Sequence, residues 1–166
     1  MPKKAITIVL AITLMFAAFG CTPQPDAGSS DNLEGTLPEI LNKIYESAEL
    51  DADTKSWLAG MSNAEVPDDN KEWFFGTSDI EYAEAFASEP MISSQPYSLV
   101  LVRANEGQDI EALKATIRNN VDPVKWLCVF VDESDVVVDN IGDVVILIMS
   151  SDSAALHEAF LSLNAE

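Results

Sequence analysis

The stretch "DVVVDNIGDVVILIM", residues 135–149, decides the fold. It holds two runs rich in β-branched residues, "DVVVD" and "DVVILIM", parted only by "NIG". A turn that short closes an antiparallel hairpin, because a parallel crossover needs about a dozen residues or more. Working backwards, "WLCVFV" (residues 126–131) is joined to the hairpin by the turn "DES" and predicts another strand of the same antiparallel set. Its centre, Cys128, then reads as a buried, inert thiol. Further upstream, "YSLVLVR" (97–103) is apolar on both faces at its centre, the mark of an interior strand. "DIEYAEAFA" (79–87) alternates Ile80, Tyr82 and Phe86 along one face, with Glu84 as an interruption, and predicts a strand beside it.

Helical patterns separate and flank these runs. In "TLPEILNKIYESAEL" (36–50), Thr36 and Glu39 have capping-box spacing, Pro38 lies in the first turn, and Leu37, Ile40, Leu41, Ile44, Tyr45 and Ala48 recur at helical spacing. Asp109 is placed to cap "IEALKATIRNNV", whose apolar stripe is Ile110, Leu113, Ile117 and Val121, and Asp122-Pro123 ends it. A closing helix from about Asp152 carries Ala155, Leu156, Ala159, Phe160 and Leu163 on one stripe. Between the first helix and the strands, a short helix around Lys55–Ala59 precedes "VPDDNKEWFFG", which reads as a loop. Of Trp73, Phe74 and Phe75, at least one must pack on the core. The resulting expectation is an α+β fold: a mostly antiparallel sheet of about five strands with N-terminal, middle and C-terminal helices packed on it. Residues 36–166, about 130 residues, suit a single domain with its own core.

The chain before that domain has a different character. Lys3 and Lys4 lead an apolar run from Ala5 to Phe19, 15 residues long, against the roughly 20 needed to cross a bilayer as a helix. A cationic start, a short apolar stretch and small residues before a cut site mark a secretory signal over residues 1–20. Ala18-Phe19-Gly20-Cys21 resembles the lipobox of bacterial lipoproteins, which implies that Cys21 becomes the lipidated N-terminus on the outer face of the cell membrane. Ala18-x-Gly20 also satisfies an ordinary secretory cut, which would release a soluble protein with a free Cys21 thiol. Residues 21–35 then form a flexible linker. Its stretch "TPQPDAGSSDNLEG" is too poor in apolar groups to offset the entropy of ordering, and as a coil it spans roughly 20 Å. Two or more acyl chains on Cys21 would make the anchoring stable.

Charge narrows the classes of partner. The chain has 28 acidic and 9 basic residues, and removing Lys3 and Lys4 with the leader leaves a net charge near −21. Nucleic acid and anionic headgroups are repelled by such a surface, since binding either rests on Lys and Arg. A cationic partner or divalent cations remain open.

Catalysis finds no support. His157 is the one imidazole, set beside the apolar stripe of the closing helix, and neither a Ser-His-Asp nor a Cys-His arrangement suggests itself. After His157-Glu158 a metalloprotease helix would need a second histidine where Leu161 stands. "DADTKS" opens like a calcium loop at Asp51 but has Ser56 and Ser62 where glycine and glutamate are required. Asp132, Glu133 and Asp135 lie in a tight turn and suit turn chemistry. No cofactor, metal site or catalytic residue is expected.

Residues 89–150 contain a Pro-Met-Ile loop, the strand "YSLVLVR", a helix beginning "DIEALK", an Asp-Pro-x-Lys-Trp junction and "DNIGDVVILIMS". In this order and phrasing the segment resembles domain of unknown function 4358, found in small lipoproteins of Firmicutes. The resemblance implies an envelope address and carries no activity. The functional expectation is therefore a lipid-anchored, extracytoplasmic binding or interaction module. Its contacts are sought first in the loop "SEPMISSQPYS", where Met91, Ile92 and Tyr97 lie between turn signals. The alternatives are an accessory subunit of an envelope complex, or a protein that binds a small ligand or divalent cation. For Met91 and Ile92 the competing reading is a plug tucked under the core.

Overall fold

The structure, a computed structural model, describes residues 32–92 and 95–165. Cys21 and the leader lie outside the described residues. In chain order the elements are α1 (Leu37–Ser47), α2 (Ala52–Leu58), β1 (Ser62–Glu65), α3 (Lys71–Phe75), β2 (Glu84–Glu89), β3 (Ser98–Arg103), α4 (Ile110–Asn120), β4 (Val136–Ile141), β5 (Val144–Met149) and α5 (Ser153–Ser162). The five strands form one sheet in the order β1-β2-β3-β5-β4, and every neighbouring pair is antiparallel. The fold is α+β, with helices on both faces.

The β4–β5 hairpin closes as its spacing requires. Ile141 pairs with Val144 across the two-residue loop Gly142-Asp143, and Gly142 has a φ of 54°. Such loops match the twist of the strands only when the first loop residue takes positive φ, which glycine does without strain. β3 lies between β2 and β5, so its alternate side chains serve two layers. Leu99 and Leu101 join Ile146 and Ile148 of β5 against α1, α5 and Leu58 of α2. Val100 and Val102 join Val145, Leu147 and Met149 against Leu113 and Ile117 of α4 and Phe75 of α3. Burial on both faces explains why these two strands are apolar at consecutive positions.

The helix signals are borne out in detail. Thr36 Oγ1 accepts from the Glu39 N–H, and Glu39 Oε2 accepts from the Thr36 N–H at 2.8 Å, completing the capping box. The Asp109 carboxylate accepts from the Ala112 N–H. His157 of α5 holds Asp139 of β4 through Nε2 at 2.8 Å, at the boundary of the packed face, and thereby ties helix to edge strand.

Four expectations need correction. "WLCVFV" is not a strand: the Val131 N–H donates to the Pro123 carbonyl at 2.9 Å, so the segment curls back on itself instead of extending. Only Trp126 and Val131 of the run are buried. Cys128 is exposed and has a φ of 65°, opposite to the buried thiol expected at a strand centre. The fifth strand is instead β1, "SNAE", exposed at all four positions and held by pairing with β2. Ile80, Tyr82 and Phe86 do not share a face, because β2 begins only at Glu84. Phe86 packs with the α1 layer and the other two with the α4 layer. Finally, "KEWFF" is helical rather than loop, and Gly76, with a φ of 71°, ends it in the left-handed conformation.

Candidate interaction surface

The sheet has two ends with different chemistry. At one end lie Glu84, Arg103, Val144 and Ile141, and there residues 32–35 lead into the domain. Arg103 donates to the carbonyl of Gly35 at 2.8 Å and to that of Leu33 at 3.5 Å, while the Asp143 N–H donates to Asn32 Oδ1. Arg103 also pairs with Glu84 and Asp143, so the entry point is fixed by a charged clasp in which each formal charge has a partner. The opposite end, marked by Glu89, Ser98 and Met149, is about 20 Å away along strands of six residues.

Two loops build that far end: Pro90–Tyr97, of which residues 93–94 are not described, and residues 122–132 after α4. Lys125 fastens the second loop to the sheet. Its Nζ is 2.7 Å from Glu89 Oε1, donates to the Trp73 carbonyl at 3.2 Å, and is 3.4 Å from Ser98 Oγ. The rings of Trp73, Trp126 and Phe74 stand 4.9, 5.1 and 5.4 Å from the ammonium. Glu89 uses its second oxygen to accept from Trp73 Nε1 at 2.8 Å. The Lys125 side chain is 5% exposed, and this burial pushes its ammonium below the usual lysine range, with Glu89 opposing the shift. The aromatic box adds ring attraction to the bonds that hold the loop base to the sheet.

With Trp126 and Val131 drawn inward and Val129 half-buried against the same layer, Leu127, Cys128 and Phe130 turn out. Leu127 is 82% exposed and Phe130 66%; nearby in the chain Val124 is 61% exposed. In the other loop Met91 and Ile92 are 83% and 72% exposed, so they stand out from the surface and are not plugs. Tyr97 does not belong with them. It is 1% exposed, its hydroxyl is 2.8 Å from that of Tyr45, and its ring meets Trp57 edge-on at 5.3 Å. Burial, together with the neighbouring Tyr45 hydroxyl, pushes the Tyr97 phenol well above its usual range. The residue is a core element at the foot of the loop, packed with Leu99, Leu101 and the first helix.

Beside Phe130 opens a cleft of about 480 Å³ between the start of α2 and the turn Ser150–Asp152. Trp57 and Phe130 line it together with the carboxylates of Asp53, Asp132, Asp135 and Asp152, and none of the seven Lys and Arg residues in the described chain does so. The Ser134 hydroxyl and N–H both donate to Asp132, which holds its carboxyl below the usual range and keeps it ionised. The cleft floor includes Tyr97, which offers a neutral, fully engaged hydroxyl. Nothing here arranges a nucleophile with a base, and among the described residues no three His, Cys, Asp or Glu side chains converge on a possible metal position. What the end of the sheet can do chemically is bury apolar surface and attract positive charge.

Sequence reasoning found Met91 and Ile92 but missed Leu127, Phe130 and the cleft. The run itself carried no signal of this, since its residue types are those of a strand. Comparison with protein families, with curated proteins and with solved structures gave no match.

Proposed function

We propose that this chain is a lipid-anchored, extracytoplasmic interaction module without catalytic activity, tethered through Cys21 and presenting the far end of its sheet to a protein of the envelope. The observation that carries the reading is the polarity of the domain. Residues 33 and 35, just before the first helix, are held by the Arg103 clasp, whereas the loops that carry the exposed apolar side chains lie at the opposite end, about 20 Å away. A domain held at one end by a leash points its other end away from the membrane. Five large apolar residues exposed on two loops of that end are more than scattered surface hydrophobics require. The resemblance of residues 18–21 to a lipobox and of residues 89–150 to a lipoprotein domain supports the same address.

The test is made in membranes of the host. Intact-mass measurement of the N-terminal peptide is expected to give a diacylglyceryl adduct on Cys21. A photo-crosslinking amino acid placed at Leu127 is expected to yield a discrete adduct, and the same group at Ala115, exposed on α4, is not. An unmodified Cys21 would overturn the anchor, and equal labelling from the two positions would overturn the interaction surface.

A further inference from the structure

Resting on that reading, we infer the chemistry of the partner: the far end takes a basic, extended segment of another protein, with large apolar side chains alternating with lysine or arginine. Its apolar groups cover Leu127, Phe130 and Ile92, and its cations enter the cleft beside Phe130.

The choice of occupant follows from charge. Among the described residues, the carboxylates of Asp53, Asp135 and Asp152 have neither an ion-pair nor a hydrogen-bond partner, although all three line one cleft. Other carboxylates of the domain are either matched, as Glu84 and Asp143 are by Arg103, Glu111 and Asp139 by Lys114 and Glu89 by Lys125, or stand singly on the surface, as Glu65 and Glu106 do; what marks Asp53, Asp135 and Asp152 is that they share one cleft with no cation in its lining. Lys125 is the one cation of loop 122–132, and it is turned inward, so nothing on the loop's outer face offsets the acids. A second copy of the chain is the wrong occupant. It would bring another set of the same unpaired carboxylates to the rim, on a body of net charge near −21 once Lys3 and Lys4 are removed, and like charges facing across an interface disfavour association. Anionic lipid and nucleic acid are repelled for the same reason. A basic segment meets both halves of the surface: apolar side chains fill the contact centre, and cations next to Trp57 and Phe130 gain from ring faces as well as carboxylates. An extended segment suits the place, since Phe130 belongs both to the exposed apolar set and to the lining of the cleft, and side chains of a strand alternate in direction.

The test uses the chain from Thr22, which keeps every described residue and the whole core, Leu33 to Leu163. Three eight-residue peptides are titrated by fluorescence anisotropy, alternating Lys-Leu, Glu-Leu and Lys-Ser, with methyl NMR of the protein as the site readout. The Lys-Leu peptide is expected to shift signals of Met91, Ile92 and Leu127 and to bind at least about tenfold more tightly than either control. The variant Asp53→Asn/Asp135→Asn/Asp152→Asn should weaken it about tenfold and flatten its salt dependence, whereas Leu127→Ser should weaken it with the salt dependence kept. These substitutions touch no packed or paired group, so folding is preserved. Equal binding of Glu-Leu and Lys-Leu, or Lys-Ser binding indifferent to Leu127→Ser, overturns the inference. So does a dimer in sedimentation equilibrium that Leu127→Ser abolishes, or uptake by phosphatidylcholine vesicles that the same change abolishes. If Leu127 crosslinks to a protein in the host while none of the peptides binds, the inference on charge fails and the interaction-module reading stands; if Leu127 crosslinks to nothing, that reading fails as well.

Discussion

Replacing Lys125 by methionine isolates the latch that shapes the far end. The substitution removes the ammonium and keeps an unbranched apolar stem against Trp73, Phe74 and Trp126. Lys125 and Glu89 are 5% and 17% exposed at the side chain, so the pair belongs with buried ion pairs, where loss of one partner costs about 3–5 kcal/mol. Two features reduce that figure here. Glu89 still accepts from Trp73 Nε1 at 2.8 Å, and the new methionine regains packing. The expected loss is about 2–3 kcal/mol, a large part of the roughly 5–15 kcal/mol that stabilises an ordinary domain. Glu89→Gln should cost a similar amount by leaving the buried ammonium with neutral partners only: the Trp73 carbonyl, Ser98 Oγ and the rings. The double variant removes both charges and should cost only about 1 kcal/mol more than either single change, a coupling of about 1–2 kcal/mol. Urea unfolding followed by tryptophan fluorescence supplies the measurement, since Trp73 and Trp126 both lie at the latch, with the slope m held common across variants. A loss below about 0.5 kcal/mol for Lys125→Met, or strictly additive single effects, would refute the account of Lys125 as a desolvated, paired latch.

Three further outcomes follow from the same geometry. Gly76→Ala should destabilise by about 3 kcal/mol or more in urea, because Gly76 has a φ of 71° and an added Cβ would meet the Asn120 carbonyl oxygen at 1.7 Å, a backbone atom that cannot swing aside. In alkali, burial raises the phenols of Tyr45, Tyr82 and Tyr97, so the stability they confer is complete below about pH 10 and is lost as pH rises through their folded values. Phenolate absorption should therefore appear together with loss of near-ultraviolet circular dichroism, and its appearance in the folded protein would contradict the burial. In acid, burial opposes the charge of Asp139, but the His157 hydrogen bond, the Asn140 N–H and Lys114 outweigh it and hold its carboxyl below the usual range. Its contribution is thus present above about pH 4 and lost as pH falls through the folded value. Asp139→Asn should cost about 1 kcal/mol near neutrality, discounted for a side chain one-third exposed, and should make the acid limb of the stability curve shallower.

The parts of the fold legible in the sequence are those whose cause is local or periodic. The capping box at Thr36, the Asp109 cap and the Gly142 turn are written in two to four residues each, and strands apolar on both faces announce burial without reference to their neighbours. β1 had no such signature. "SNAE" is polar throughout and becomes a strand only because β2 leaves an edge for it to pair with, which is a property of the assembled sheet. "WLCVFV" failed for the converse reason. As a strand it would put Trp126, Cys128 and Phe130 on one face and Leu127, Val129 and Val131 on the other; the structure buries one residue from each set, Trp126 and Val131. An apolar run says that something is to be covered, but which members are covered by the chain itself is decided by long-range contacts such as Lys125 with Glu89, 36 residues away.

That same contact links the fold to the proposed function. A lysine on the outer face of loop 122–132 would neutralise one of the four aspartates around the cleft and place a hydrated ammonium between Leu127 and Phe130. Drawn instead into the ring box of Trp73, Phe74 and Trp126, Lys125 fixes the loop base while the outer face stays apolar and anionic. The chemistry offered to a partner is thus set by where one cation of the chain is hidden. Lys125→Met should accordingly loosen the loop without changing the sign of the surface, so that the Lys-Leu peptide loses affinity while keeping its preference over Glu-Leu. Loss of that preference would show that the selectivity does not arise from the unpaired carboxylates of Asp53, Asp135 and Asp152.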